Sequence, residues 1–196
     1  MNTRPLLTIH VHTLDSHVTR FIQNDQNAVQ HILEQIHPGR LFQHNLVLQD
    51  ERSTSIFPQT ALVRIDLIMD RYPDWPFHNN CIRATELTEE MFRERSHQAF
   101  VTGLRNTHPL PGEIITVFAD LTLANADRVY AQYEIQAQGT TPADVGMMVQ
   151  HFSMEPIQHL LRHGGGAVLI NSAHIMRLNL YPGLLPIPCA WPATLL

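Results

Sequence analysis

Four short segments recur in the same order in the two halves of this chain, and that recurrence constrains its fold more than composition does. Val29-Gln30-His31 matches Val149-Gln150-His151, and Phe42-Gln43-His44 resembles Ile157-Gln158-His159. Arg64-Ile65-Asp66-Leu67 resembles Arg177-Leu178-Asn179-Leu180. The two tryptophans, each followed by proline at Trp75-Pro76 and Trp191-Pro192, close the two series. Any one match means little in a chain rich in glutamine and histidine. Four in order imply an internal duplication.

The hydrophobic pattern supports that reading. Residues 8–13 alternate as a half-buried strand does, Leu14-Asp15-Ser16 reads as a turn, and residues 17–23 return as a second strand. Asn24 suits the cap of a helix over residues 25–36, where Val29, Ile32, Leu33 and Ile36 form one stripe before His37-Pro38-Gly39 stops it. Strands follow over 45–49, 55–57 and 62–69. In the last, alternation puts Val63, Ile65, Leu67 and Met69 on one face and Arg64, Asp66 and Asp70 on the other.

The second half repeats the scheme. Strands over 113–123 and 128–138 flank the turn Asn125-Ala126-Asp127. Thr141-Pro142 opens a helix carrying Val145, Met148, Val149 and Phe152. Ser153 is expected to cap a second, short helix with Ile157, Leu160 and Leu161, ended by Gly164-Gly165-Gly166, before strands over 167–170 and 174–181. The expected fold is α+β, an internal duplication of a ββαββ-like unit with mostly antiparallel sheets and helices packed on one face. Its parts are a first copy over residues 1–80, a helical connector over 81–111 with Thr88 as cap, and a second copy over 112–196 ending in a Pro-rich tail. Each tryptophan is expected to bury against the sheet of its own copy.

Composition enters by exclusion. All 13 basic residues are arginine, so chemistry that needs an ammonium group, from a P-loop lysine to a Schiff base, has no residue to carry it. Net charge is −5 and the arginines are scattered, so no basic stripe offers itself to nucleic acid. Cys81 and Cys189 form no close pair, and no stretch reaches the length of a membrane span. The expectation is a cytoplasmic protein with no membrane or nucleic-acid partner and no cofactor.

Two polar constellations stand out. His10-x-His12 places two imidazoles on one strand face, and His17 returns nearby across a turn with Asp15, a set that suits a metal ion. Arg64 with Asp66, and Arg177 with Asn179, recur in both copies, either as a duplicated recognition site for an anion or partner carboxylate or as structural arginines. His159 and His163 fall four apart on the expected helix, without the glutamate of a zinc-protease helix. His163-Gly164-Gly165-Gly166 has no Gly-x-Ser-x-Gly partner elsewhere, so it reads as a turn. The expected function is a non-catalytic interaction or assembly module that forms dimers or binds another protein. The alternative is a metal-binding protein or metal-dependent hydrolase using the strand histidines.

Overall fold

The computed structural model describes residues 4–77, 80–101, 110–137 and 155–181. The first half forms β1 (Leu7–Thr13), β2 (Val18–Gln23), α1 (Gln26–Gln35), β3 (Leu46–Gln49), β4 (Thr54–Phe57) and β5 (Leu62–Ile68). A middle segment gives β6 (Cys81–Leu87) and α2 (Glu89–Val101). Then come β7 (Ile114–Leu123), β8 (Arg128–Gln136), β9 (Ile157–Leu161), β10 (Ala167–Asn171) and β11 (Ile175–Tyr181). Among the described residues nine strands make one sheet in the order β11-β7-β8-β6-β9-β10-β5-β1-β2, and β3-β4 stands apart as a hairpin. Pairing is antiparallel except where β6 meets β9, at Thr85 and Leu161. The fold is α+β with a large, mostly antiparallel sheet. No helix among the described residues is long and apolar enough to cross a membrane.

Local chemistry explains the helix starts. Asp25, one residue beyond the expected Asn24, caps α1 by accepting from Ala28 N at 2.8 Å. The stripe of Val29, Ile32 and Leu33 then packs with Leu7, Ile9, Val11, Ile65 and Leu67. Thr88 Oγ1 accepts from Met91 N at 3.2 Å to start α2, and Glu89 and Glu90 sit in the first turn, where the helix dipole favours negative charge. Phe92 and Ala99 of α2 pack with Leu87, Phe118 and Tyr130. A further core joins Val63, Leu160, Val168 and Ile170 to Val117, Leu121, Val129 and Tyr133. It ties β5, β9 and β10 to β7 and β8, although β5 and β8 are not neighbours in the sheet. The sheet is thus folded over on itself.

Two three-stranded sets share one local geometry. β1 lies between β2 and β5, and β7 lies between β8 and β11, all antiparallel. In the first turn, Thr13 N bonds to His17 O and Ser16 N to Thr13 O; in the second, Leu123 N bonds to Asp127 O and Ala126 N to Leu123 O. Ser16 and Ala126 both take positive φ, 62° and 69°. Asp15 and Asn125 each accept the backbone N–H two residues on, at 3.2 Å in both turns. Leu14 N reaches Ala61 O, and Ala124 N reaches His174 O. A short 3-10 turn precedes β5 and another precedes β11. Each of these strands then bulges at one residue, Val63 and Met176, so that His12 faces Arg64 and Thr122 faces Arg177.

Several expectations are corrected. The connector holds a strand as well as a helix: β6 escaped the hydrophobic pattern because only Ala84 and Leu87 are buried along it. Residues 157–161 form a strand, not a helix. The spacing of Ile157, Leu160 and Leu161 fits either, but Leu160 joins the core that holds Val168, whereas Ile157 joins the one that holds Leu169. The glycine run is the turn from β9 to β10, with Gly164, Gly165 and Gly166 all at positive φ. A side chain on Gly166 would run into the Leu67 carbonyl, so that turn needs the bare backbone. Val63 leaves the face of Ile65 and Leu67 because the bulge turns it toward Val168 and Ile170. Phe42-Gln43-His44 lies in a turn before β3 while Ile157-Gln158-His159 is strand, so that pair is no positional match. Trp75 packs against the core of Leu7, Ile9, Ile65 and Leu67 as expected, but only half-buried, and it stands edge-on to His37 and His159, at 5.7 and 6.2 Å between ring centres. The expected helix from Thr141, the Val149-Gln150-His151 match, the Pro-rich tail and Trp191 lie outside the described residues.

Candidate functional site

The largest convergence of ionisable side chains among the described residues gathers where the folded sheet brings β1, β5, β6 and the β7–β8 turn together. His10 and His12 sit two apart on β1 and so share a face; directly opposite on β5, His10 pairs with Asp66 and His12 with Arg64. Arg64 donates Nε to Asp66 Oδ1 at 2.5 Å and Nη2 to Asp66 Oδ2 at 3.1 Å. The same Nη2 donates to Glu86 Oε1 on β6 at 2.7 Å. Arg162, at the end of β9, places Nε 4.0 Å from the other oxygen of Glu86.

His12 is held from both sides. Its Nε2 lies 3.3 Å from Asp66 Oδ2 and its Nδ1 lies 3.2 Å from Asp127 Oδ2 in the β7–β8 turn. Asp127 is itself fixed by the Asn125 amide, which donates to the same oxygen at 2.9 Å. Ser16 Oγ donates to Asn125 O at 3.0 Å, so the two equivalent turns also touch each other.

Burial sets the electrostatics. The side chains of Arg64, Asp66 and Glu86 are 12%, 7% and 17% exposed, so their charges have to be compensated by one another. Burial alone would raise the Asp66 carboxyl, but the hydrogen bond from His12 and the Arg64 guanidinium outweigh it and hold Asp66 below the usual carboxylate range. For Glu86 burial wins: with Asp66 repelling it, its carboxyl rises above the usual value despite Arg64 and Arg162. Burial is also the largest influence on the Arg64 guanidinium, which Asp66 and Glu86 nevertheless hold firmly in its charged form. Burial lowers His10, with Arg20, His12 and Arg162 adding to it and Asp66 partly opposing.

The structure therefore joins residues that the sequence offered as two separate sets. His10, His12 and Asp66 each aim one ligand-type atom into a common space, all within 4.8 Å of one another. His17 takes no part; it and Asp15 are exposed in the β1–β2 turn, where Thr13 donates to Asp15 at 2.5 Å. Arg177 and Asn179 do not join the cluster either. Arg177 donates Nε to Asn179 Oδ1 at 3.0 Å on an exposed strand, and Asn179 reaches Asp120 at 3.4 Å. Sequence reasoning missed Glu86, Asp127 and Arg162. The turn holding Asp127 was legible, but its contact with His12 depends on the folding-over of the sheet, which leaves no local trace. His159 and His163 share no helix; His159 is buried on β9 and stacks on Phe77 with ring centres 4.3 Å apart. Comparison with protein-family models, curated proteins and solved structures gives no match, so the chemistry of this chain rests on its own geometry.

Proposed function

We propose that this chain is a duplicated, non-catalytic assembly module that pairs with a second copy of itself through the outer edge of β11. Duplication of a ββαββ-like unit is supported by the common strand order, the bond-for-bond likeness of the two turns and the bulge at the same point of β5 and β11. The observation that carries the assembly reading is a difference between those two strands. The outer edge of β5 is closed by β10, and its bulge residue Val63 is 0% exposed. Among the described residues no strand pairs with the outer edge of β11, and its bulge residue Met176 is 72% exposed. Beside it lies a hollow of about 210 Å³ lined by Leu121, Ile175, Met176 and Leu178 together with Gln158, Ser172 and Arg177.

An open edge presents unpaired N–H and C=O groups, and proteins commonly blunt it with lysine, proline or inward charge. β11 has Arg177 as its one charged residue, and the chain has no lysine. Antiparallel pairing with the same strand of a second molecule satisfies the edge with a closed two-fold contact. The net charge of −5 and the scattered arginines favour a protein partner over nucleic acid.

Light scattering coupled to size exclusion, at micromolar concentration, tests this. The expected mass is about twice the 22.4 kDa of one chain. Met176→Lys, which places a solvated charge on the edge, is expected to return the mass to that of one chain with an unchanged circular dichroism spectrum. A wild-type mass of one chain at every concentration contradicts the proposal.

A further inference from the structure

His12 stands between two carboxylate oxygens, one at each ring nitrogen. Asp127 Oδ2 stands 3.2 Å from Nδ1 and Asp66 Oδ2 stands 3.3 Å from Nε2. A neutral imidazole has one N–H and one bare lone pair. Whichever nitrogen donates, the other turns a lone pair toward a carboxylate oxygen, and two acceptors so close repel. A cation held by one ring nitrogen, with the other nitrogen donating to the second carboxylate, satisfies both contacts.

A cation there needs further donors, and His10 brings one to the same space, within 4.8 Å of both. The 3.3 Å between His12 Nε2 and Asp66 Oδ2 also matches the span of two donors on a tetrahedral zinc ion. Bonds of ~2.0–2.1 Å at that geometry put the donors roughly 3.4 Å apart. Asp127 then occupies the place of the outer carboxylate that fixes a metal-bound histidine through its far nitrogen.

We propose that His10, His12 and Asp66 bind one divalent cation of the zinc or iron(II) class, through two imidazole nitrogens and one carboxylate oxygen, with Asp127 as the positioning residue for His12. Two histidines and one carboxylate are a set these metals favour, and they leave coordination positions open. Arg64 donates to both Asp66 oxygens, more closely to Oδ1 at 2.5 Å than to Oδ2 at 3.1 Å, so the ion is met by Oδ2, which it shares with the guanidinium. The Arg64 charge weakens cation binding, and Glu86, bonded to the same guanidinium, offsets part of that. The site belongs to the first unit only. The equivalent positions in the second hold Asp120, Thr122 and Asn179, with no imidazole among them.

The test is calorimetric titration of the untagged chain with zinc ion alone. One ion per chain is expected. His10→Ala and His12→Ala abolish that binding, Asp127→Asn weakens it by about 10- to 100-fold, and His17→Ala leaves it unchanged. Each variant is checked by circular dichroism, and if His12→Ala fails to fold, His10→Ala and Asp127→Asn decide the matter alone. Cobalt(II) provides a second readout, as a visible absorption band that His10→Ala removes. No zinc bound at all, equal zinc binding in the wild type and His10→Ala, or equal losses in His10→Ala and His17→Ala would each overturn the proposal. So would nitrogen NMR showing His12 doubly protonated and unmoved by zinc.

Discussion

Arg64 and Arg177 occupy the same position on two bulged strands, each two residues before a partner side chain to which its Nε donates, yet their surroundings differ in kind. Arg64 is almost enclosed and joins Asp66 to Glu86, two carboxylates from different strands. Arg177 is exposed and meets the neutral amide of Asn179. The neighbouring strand explains the contrast. β10 covers the edge of β5, excludes water and obliges the charges there to pair, whereas among the described residues no strand pairs with the outer edge of β11, and Arg177 is exposed. The lesson is that a residue repeated in sequence and in backbone position need not repeat its energetics. Burial by a third element decides that.

Arginine replacement gives the largest expected effect. Arg64→Ala leaves Asp66 and Glu86 buried without their shared cation, and is expected to cost ~3–5 kcal/mol in chemical denaturation. Arg177→Ala is expected to stay within ~0.5 kcal/mol, as surface changes usually do. Equal losses at the two positions would erase the distinction drawn between the two strands.

The bulge residues give a smaller contrast. Val63 is fully enclosed, so Val63→Ala is expected to cost about 2 kcal/mol through lost burial and a residual cavity. Met176→Ala is expected to change the stability of the single chain by under ~0.5 kcal/mol. If both lose alike, Met176 is covered in solution by the molecule itself.

The pH dependence sharpens the picture within the first cluster. Asp66 is held below its usual range, so the unfolded chain binds its proton more readily; the stability it contributes is present above the ordinary carboxylate pKa and is lost as pH falls through the lower folded value. Glu86 is raised, so the folded chain binds its proton more readily, and stability is lost as pH rises from the ordinary value through the folded one. Urea denaturation between about pH 3 and about pH 7 should therefore show opposite trends. The advantage of wild type over Asp66→Asn grows with pH, and its advantage over Glu86→Gln shrinks. Parallel trends would contradict the assigned directions.

What was legible in the sequence was what local chemistry writes there. The β1–β2 and β7–β8 hairpins, the latter with its Asn125-Ala126-Asp127 turn, follow from alternation and turn residues. Thr88 marked the start of α2, and Asp25, one residue from the expected cap, started α1. The misread segments were those in which the signal belongs to the partner. β6 reads as polar because Glu86 is satisfied by Arg64 across the fold, and β9 reads as helix because five residues cannot distinguish two periods. His10 and His12 were visible as a pair on one face, but the choice of Asp66 rather than His17 as their companion depends on β5 pairing with β1. Asp127 reaches His12 across 115 residues of chain, and no spacing rule reports that.

The contrast between the β5 edge, closed by β10, and the outer edge of β11, which no described strand pairs with, is tested most directly by amide hydrogen exchange followed residue by residue as concentration is raised. The account predicts that the β5 amides, bonded on both sides, are protected at every concentration. The outward amides of β11 should exchange quickly in dilute solution and become protected as the chain pairs. If β11 is as protected as β5 at the lowest concentration, the edge is covered within one molecule. If it stays unprotected throughout, nothing covers it, and in either case the proposed self-pairing is wrong.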